Sequence, residues 1–326
     1  MPGRVRPSGV LIAGPTASGK SQLALLLAEE LESLGGATII NSDSMQVYRD
    51  LRLLTARPSR EDEQRVPHRL YGVFSGHQRC SAGRWCALAA EAISEAQAAG
   101  RTPIVVGGTG LYFQALVEGL APVPDIPADI RERARALLDQ LGNDRFHGEL
   151  SVRDPVMASR VRPSDQQRML RAWEVVEATG VSLADWQSRQ TRPQFPPDDV
   201  ARPSQFARVL LSQPRELLYR RCDLRFEHMI AEGAVDEVRA LLALAVPASH
   251  PIMKAVGVRE IVRYLDGEIQ LDVAVAAGQQ ATRRYAKRQM TWFRSRMADW
   301  KNYDTQDLES FFPKIFSFIR QFLLTP

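Results

Sequence analysis

Val10-Leu11-Ile12-Ala13-Gly14-Pro15-Thr16-Ala17-Ser18-Gly19-Lys20-Ser21 decides the fold. Its opening apolar run is the pattern of a strand buried on both faces. The run feeds directly into G-x-x-x-x-G-K-S. Behind it Leu23, Leu26, Leu27, Leu31 and Leu34 recur at helical spacing until Gly35-Gly36. Strand, glycine loop and helix in this order are the setting a P-loop requires. Gly14 and Gly19 let backbone N–H groups approach an anion, and the helix N-terminus adds partial positive charge. Lys20 supplies a point charge and Ser21 a hydroxyl suited to Mg²⁺. Residues Gly14, Pro15, Thr16, Ala17, Ser18, Gly19, Lys20 and Ser21 are therefore expected to hold a di- or triphosphate, a site that could also take ATP. The fold class is α/β, a P-loop core with a parallel sheet flanked by helices.

Next along the chain, Ala37-Thr38-Ile39-Ile40 reads as a second strand running out into Asn41-Ser42-Asp43-Ser44-Met45-Gln46. Ligands of open α/β sheets sit outside the carboxyl ends of strands, which brings Asp43 towards the P-loop ligand. A turn aspartate is the commoner role for such a residue. Gly83–Ala99 reads as a helix, and 102–110 as a buried strand ending in Gly107-Gly108-Thr109-Gly110. A Walker B strand would end on a carboxylate that helps hold the metal. The glycine ending argues against a routine ATPase and leaves Asp43 as the carboxylate of the site.

Pro122, Pro124 and Pro127 open a linker, and Pro193, Pro196, Pro197 and Pro203 lie in a second one at 188–204. Between them the sequence is helical and charge-rich. The organisation expected is a core over 1–121, an all-helical insertion over 122–200, the rest of the core over 201–300 and a tail helix over 301–326. Phe206–Leu211 reads as a returning strand, and a helix from Pro214 carries Arg215, Arg220, Arg221 and Arg225. Thr282–Arg296 interleaves Arg283, Arg284, Lys287, Arg288, Arg294 and Arg296 with Tyr285, Trp292 and Phe293. That mixture suits phosphates plus base stacking, or equally an amphipathic helix with its cations in water. Arg284 and Arg288 are four apart and share a face.

Over all 326 residues the hydrophobic share of 44% and charged share of 25% are those of a globular protein. The net charge is +4 and the pI about 9.1, compatible with a polyanionic partner. Cys80, Cys86 and Cys222 lack metal-ligand spacing and suit a reducing, cytoplasmic setting. Residues 1–9 carry no apolar signal region and read as a frayed start. Phe311–Leu324 is apolar but too short to span a bilayer, so no membrane is expected and the tail helix should dock on the protein body.

Taken together these stretches resemble the tRNA dimethylallyltransferase family, the bacterial isopentenyl-adenosine transferases. The blocks that carry the resemblance are G-P-T-A-S-G-K-S at 14–21, D-S-M-Q-V-Y-R at 43–49, V-P-H at 66–68 and G-G-T-G-L-Y at 107–112. R-P-S-D-Q-Q-R-M-L-R-A-W-E at 162–174 and T-R-R-Y-A-K-R-Q-M-T-W-F-R at 282–294 complete them. The resemblance implies transfer of a dimethylallyl group from dimethylallyl diphosphate to N6 of adenosine 37 in tRNA, with Mg²⁺, by a monomer that grips the anticodon stem-loop with its helical insertion. It implies Asp43 as general base, and Lys20 with Arg221 or Arg225 on the diphosphate. Ser44, Met45, Gln46, Thr109, Arg131, Gln167, Arg168, Met169, Leu170 and Arg171, with Arg284 and Arg288, would contact the RNA. Asp50–Pro58 departs from the family's glycine-rich G-M-D-I-G-T-A-K-P, and Gly257-Val258 stands where the family has glycine-tyrosine. Two other readings remain at this point: a P-loop kinase for a small acceptor, and an RNA-binding module without chemistry.

Overall fold

The computed structural model describes residues 9–189, 206–304, 306 and 308–324. The frayed start, apart from Gly9, and most of the proline-rich stretch 188–204 lie outside these residues. The chain divides into two compact units, residues 1–116 with 194–326, and residues 117–193.

The first unit is built on a parallel sheet. In chain order its opening half runs β1 (Gly9–Ala13), α1 (Lys20–Glu30), β2 (Ala37–Asn41), α2 (Arg60–Arg65), β3 (His68–Arg69), α3 (Ala82–Ala98), β4 (Thr102–Gly107) and α4 (Gly110–Glu118). The strands β1 and β2 are buried at every position, which is why they read as unbroken apolar runs without alternation. Helix α1 stops at Glu30 and tightens into a 3-10 turn over Leu31–Leu34. Leu34, expected on the apolar side, is 44% exposed because the tighter turn rotates it out of register.

The second unit holds α5 (Ala128–Arg153), α6 (Pro155–Arg160), α7 (Gln166–Thr179) and α8 (Leu183–Ser188). Gly142 (φ 72°) breaks α5 into two segments. Phe146, Leu150, Met169, Ala172, Trp173 and Val175 form this unit's apolar core. Buried Asp154 ties it together: its carboxylate caps α6 through Met157 N at 2.9 Å and accepts from the Ser182 hydroxyl at 2.8 Å.

The chain then returns to the first unit with β5 (Phe206–Ser212), α9 (Arg215–Ala231), α10 (Ala234–Ala243), α11 (Val258–Leu265), α12 (Leu271–Arg296), β6 (Lys301–Asp304) and α13 (Leu308–Leu324). The strand order is β3-β2-β4-β1-β5-β6, and every pairing is parallel, Val10 opposite Ile104 on one side and Ala207 on the other. Residues 301–304 correct the expected tail helix: they add the sheet's last strand, and only the residues beyond it are helical. Helix α13 docks as its apolar periodicity demands, with Ile315 and Ile319 fully buried in the cluster that holds Leu23 and Leu27 of α1.

Candidate active site

The loop between β1 and α1 is shaped by packing as well as by its glycines. A Cβ on Gly14 would lie 2.6 Å from Ser18 Oγ and 3.3 Å from Leu211 O, so a side chain there would displace its neighbours. Ala17 adopts φ 62°, unusual for a residue with a side chain, and packs against Leu218, Cys222 and Ala286 of α9 and α12. Gly19 caps α1 in a left-handed conformation. Gln289 of α12 clamps the whole arrangement: its Oε1 accepts from Thr16 N at 2.8 Å, and its Nε2 donates to Gly108 O at 2.9 Å. A Cβ on Gly108 would meet that amide at 2.3 Å. The glycine ending of β4 therefore serves close packing beside the P-loop, in the place where a Walker B carboxylate would stand.

Lys20 is buried, and its ammonium donates to Pro15 O at 3.3 Å. Burial pulls its pKa down to about 8, against the opposing pull of Asp43 and with some help from Arg225. Arg225 donates to the Thr16 hydroxyl, and burial lowers its pKa too, with Cys222 and Asp43 opposing. Neither cation is in an ion pair among the described residues. One buried and one half-buried cation, neither in an ion pair there, beside the backbone N–H groups of the loop make a site suited to an anion. Arg221, the other candidate on α9, points elsewhere and donates to Gln306 O at 3.0 Å. The helix carries Arg225 to the loop and leaves Arg221, four residues earlier, bonded away from it.

Asp43 follows β2 and combines both of its expected characters. Its Oδ1 accepts from Met45 N at 2.9 Å, an Asx turn, while its second oxygen makes no hydrogen bond among the described residues. Thr109 holds the segment from the β4 side: its hydroxyl accepts from Ser44 N at 2.9 Å, and its own N–H donates to Ser42 O at 3.1 Å. A cavity of about 200 Å³ opens over Asp43. Thr16, Asp43, Ser44, Met45, Arg225 and Arg288 line it, and Leu54, Phe226, Met229 and Val256 give it an apolar side. Tyr285 lines it as well, and burial, with Asp43 nearby, keeps its phenol protonated. Burial likewise pushes the Cys222 thiol up, so that wall is neutral.

The remaining expected residues fall in other places. Gln46 is buried, and its amide donates to Thr55 O at 2.9 Å and Ala56 O at 3.0 Å, bracing the 51–56 segment. In the helical unit Met169 is fully buried, so its side chain belongs to the core and not to the exposed face expected of an RNA contact. Leu170 packs partly against the same core. Arg131, Gln167 and Arg168 are exposed, and Arg171 is half-buried beside Glu174 at 3.9 Å. On α12, Arg284 is exposed, whereas Arg288 reaches the cavity with its guanidinium 5.7 Å from the Tyr285 ring centre.

The altered 50–58 stretch keeps a defined shape through Glu237 of α10. That carboxylate accepts from the backbone N–H of Arg52, of Leu53 at 2.8 Å and of Leu54 at 2.9 Å. Leu54 and Thr55 are thereby held in the cavity wall without the glycines.

Among the described residues no group of three or more His, Cys, Asp or Glu could hold a metal. The donors present still fit Mg²⁺, which keeps several waters and takes most ligands from substrate phosphates. The Ser21 hydroxyl is exposed at the start of α1 and makes no hydrogen bond among the described residues.

The IPP transferase family model matches residues 46–296. The tRNA dimethylallyltransferase of Parvibaculum lavamentivorans is 51% identical over 97% of both chains, and that of Azorhizobium caulinodans 52% identical over 91% of this chain and 92% of its own. Among solved structures, the full-length tRNA isopentenylpyrophosphate transferase of Bacillus halodurans superposes with a TM-score of 0.68 at 31% identity, covering 98% of this chain and 97% of its own. A eukaryotic dimethylallyltransferase acting on tRNA gives a TM-score of 0.75 at 25% identity, covering 93% of this chain and 75% of its own. The chain belongs to the IPP transferase family, that of the tRNA dimethylallyltransferases.

Proposed function

We propose that the chain transfers a dimethylallyl group from dimethylallyl diphosphate to N6 of adenosine 37 in tRNA, giving N6-isopentenyladenosine and diphosphate. One observation carries the site assignment. Asp43, with a carboxylate oxygen that makes no hydrogen bond among the described residues, shares its surroundings with buried Lys20 and half-buried Arg225, neither of them in an ion pair there, beside an apolar wall. A diphosphate with a short apolar tail matches that combination.

As the allylic C1–O bond breaks, its electron pair leaves with the diphosphate. The P-loop N–H groups, Lys20 and Arg225 stabilise that growing charge. The N6 lone pair, delocalised into the adenine ring, forms the new C1–N bond as Asp43 takes the N6 proton. Mg²⁺, with Ser21 and the phosphate oxygens as ligands, would supply further charge neutralisation. The adenine must leave its stack to enter the cavity. Ser44, Met45, Thr109, Tyr285 and Arg288 surround the position where it would sit. Arg131, Gln167, Arg168 and Arg171 of the helical unit, with Arg284, are assigned to the anticodon stem-loop. Action as a cytoplasmic monomer belongs to the same reading. The kinase alternative loses ground because the cavity joins its cations to an apolar wall, which a phosphoryl acceptor does not need.

Asp43→Asn tests the assignment. It keeps size and shape while removing basicity, so diphosphate and RNA binding should persist while turnover falls by roughly 10²–10⁴. Retention of more than about a tenth of the normal kcat would remove Asp43 from this role.

A further inference from the structure

Helix α9 turns Cys222, Arg225, Phe226 and Met229 towards one cavity, a spacing of three, four and seven residues that keeps them on one face. Arg225 stands at the P-loop through its bond to Thr16. Phe226 and Met229 continue along the same face, and four residues of helix advance about 6 Å. A ligand with its anionic head on Arg225 lays its tail along these two side chains.

Phe226 is held back from the cavity by two glycines on different elements. A Cβ on Gly278, within α12, would lie 2.2 Å from the ring's Cζ and 2.4 Å from its Cε1. A Cβ on Gly257, which precedes α11, would lie 2.8 Å from the ring's Cε2 and 2.9 Å from Leu54 Cδ1. Glycine inside a helix is less favourable than alanine, so Gly278 is explained by the space it leaves for the ring. Gly257 (φ 96°) leaves the same ring room where the resembling family has a tyrosine next in sequence and this chain has Val258. The ring is 3% exposed and fills its slot, so it closes the apolar side of the cavity at a set depth.

We propose that Phe226, seated by Gly278 and Gly257, determines the length of prenyl chain that the site accepts, admitting one isoprene unit and excluding two. This rests on the prenyl-transfer reading above. A geranyl group would need the volume that the ring occupies. The bonds made and broken stay the same for either donor: C1–O opens with its electrons on the diphosphate, C1–N6 forms, and the proton goes to Asp43.

The test uses the full chain, an anticodon stem-loop and Mg²⁺, with kcat/KM measured for dimethylallyl and geranyl diphosphate. A single methylene in an apolar pocket is worth about 10–200-fold in discrimination. Phe226→Ala should therefore raise the geranyl-to-dimethylallyl ratio by about tenfold or more. Gly278→Ala should lower dimethylallyl transfer by about tenfold by pushing the ring inward. Phe226→Leu added to Gly278→Ala should restore it, a rescue that a folding defect would not show. Unchanged ratios in a Phe226→Ala protein that still transfers dimethylallyl would overturn the proposal, as would full dimethylallyl activity in Gly278→Ala. Absence of dimethylallyl transfer by the unaltered protein would instead overturn the functional reading itself, and this inference with it.

Discussion

Lys20 carries a charge that its surroundings disfavour. Its pKa in the fold, about 8, lies below the ordinary 10.5, so the protonated form costs stability below about pH 8 and the cost fades as pH rises. A bound diphosphate favours the ammonium and raises its pKa again. Diphosphate affinity should consequently weaken as pH rises through about 8, with a limiting slope of about tenfold per pH unit. Lys20→Ala should bind more weakly at neutral pH and lose that part of the slope. Calorimetry of both proteins across that range checks the expectation, and identical slopes would contradict it. The P-loop residues and Asp43 were legible in the sequence because strand order dictates which turns share an edge of the sheet. Arg225 was separable from Arg221 only in three dimensions, since residues four apart on α9 have equivalent sequence surroundings. Phe226 and Met229 escaped because an apolar residue on a helix reads as core until a cavity is found beside it.

At the scale of elements, the basic stretch of α12 is an amphipathic helix with its cations on the exposed side. Gln289 and Thr282 are buried on the side facing the core, while Arg284, Lys287 and Arg294 lie in water. Arg284→Ala should reduce the slope of log affinity for RNA against log salt by about 0.7–0.9, one phosphate contact, and leave kcat at saturating RNA unchanged. Arg288→Ala should change turnover as well, because that side chain reaches the cavity. An unaltered salt slope for Arg284→Ala would make it a solvated cation with no RNA contact. The apolar stripes of α1 and α13 were readable, whereas Met169 was not: a motif aligned by resemblance names positions without saying which side of a helix faces the core. The brace that Glu237 gives to Arg52, Leu53 and Leu54 was hidden for another reason. It joins segments more than 180 residues apart, and no local pattern encodes such a pairing.

For the whole molecule, the alternation of strands and helices already implied a parallel sheet, and the proline-rich stretches suggested an inserted helical region. The last strand was missed because Lys301–Asp304 is short and polar, with only Tyr303 buried, and lacks the apolar run of a central strand. The fold brings the turns after β1 and β2 together with α9 and α12 around one cavity, as ligand sites of open α/β sheets require. Its chemistry is tested most directly by incubating the full chain with dimethylallyl diphosphate, Mg²⁺ and an anticodon stem-loop bearing three consecutive adenosines from position 36, then weighing the RNA. The account predicts one added dimethylallyl group in place of one hydrogen, located on N6 of adenosine 37, with free diphosphate released in equal amount. RNA of unchanged mass, together with transfer of the γ-phosphate when ATP replaces the prenyl donor, would contradict it.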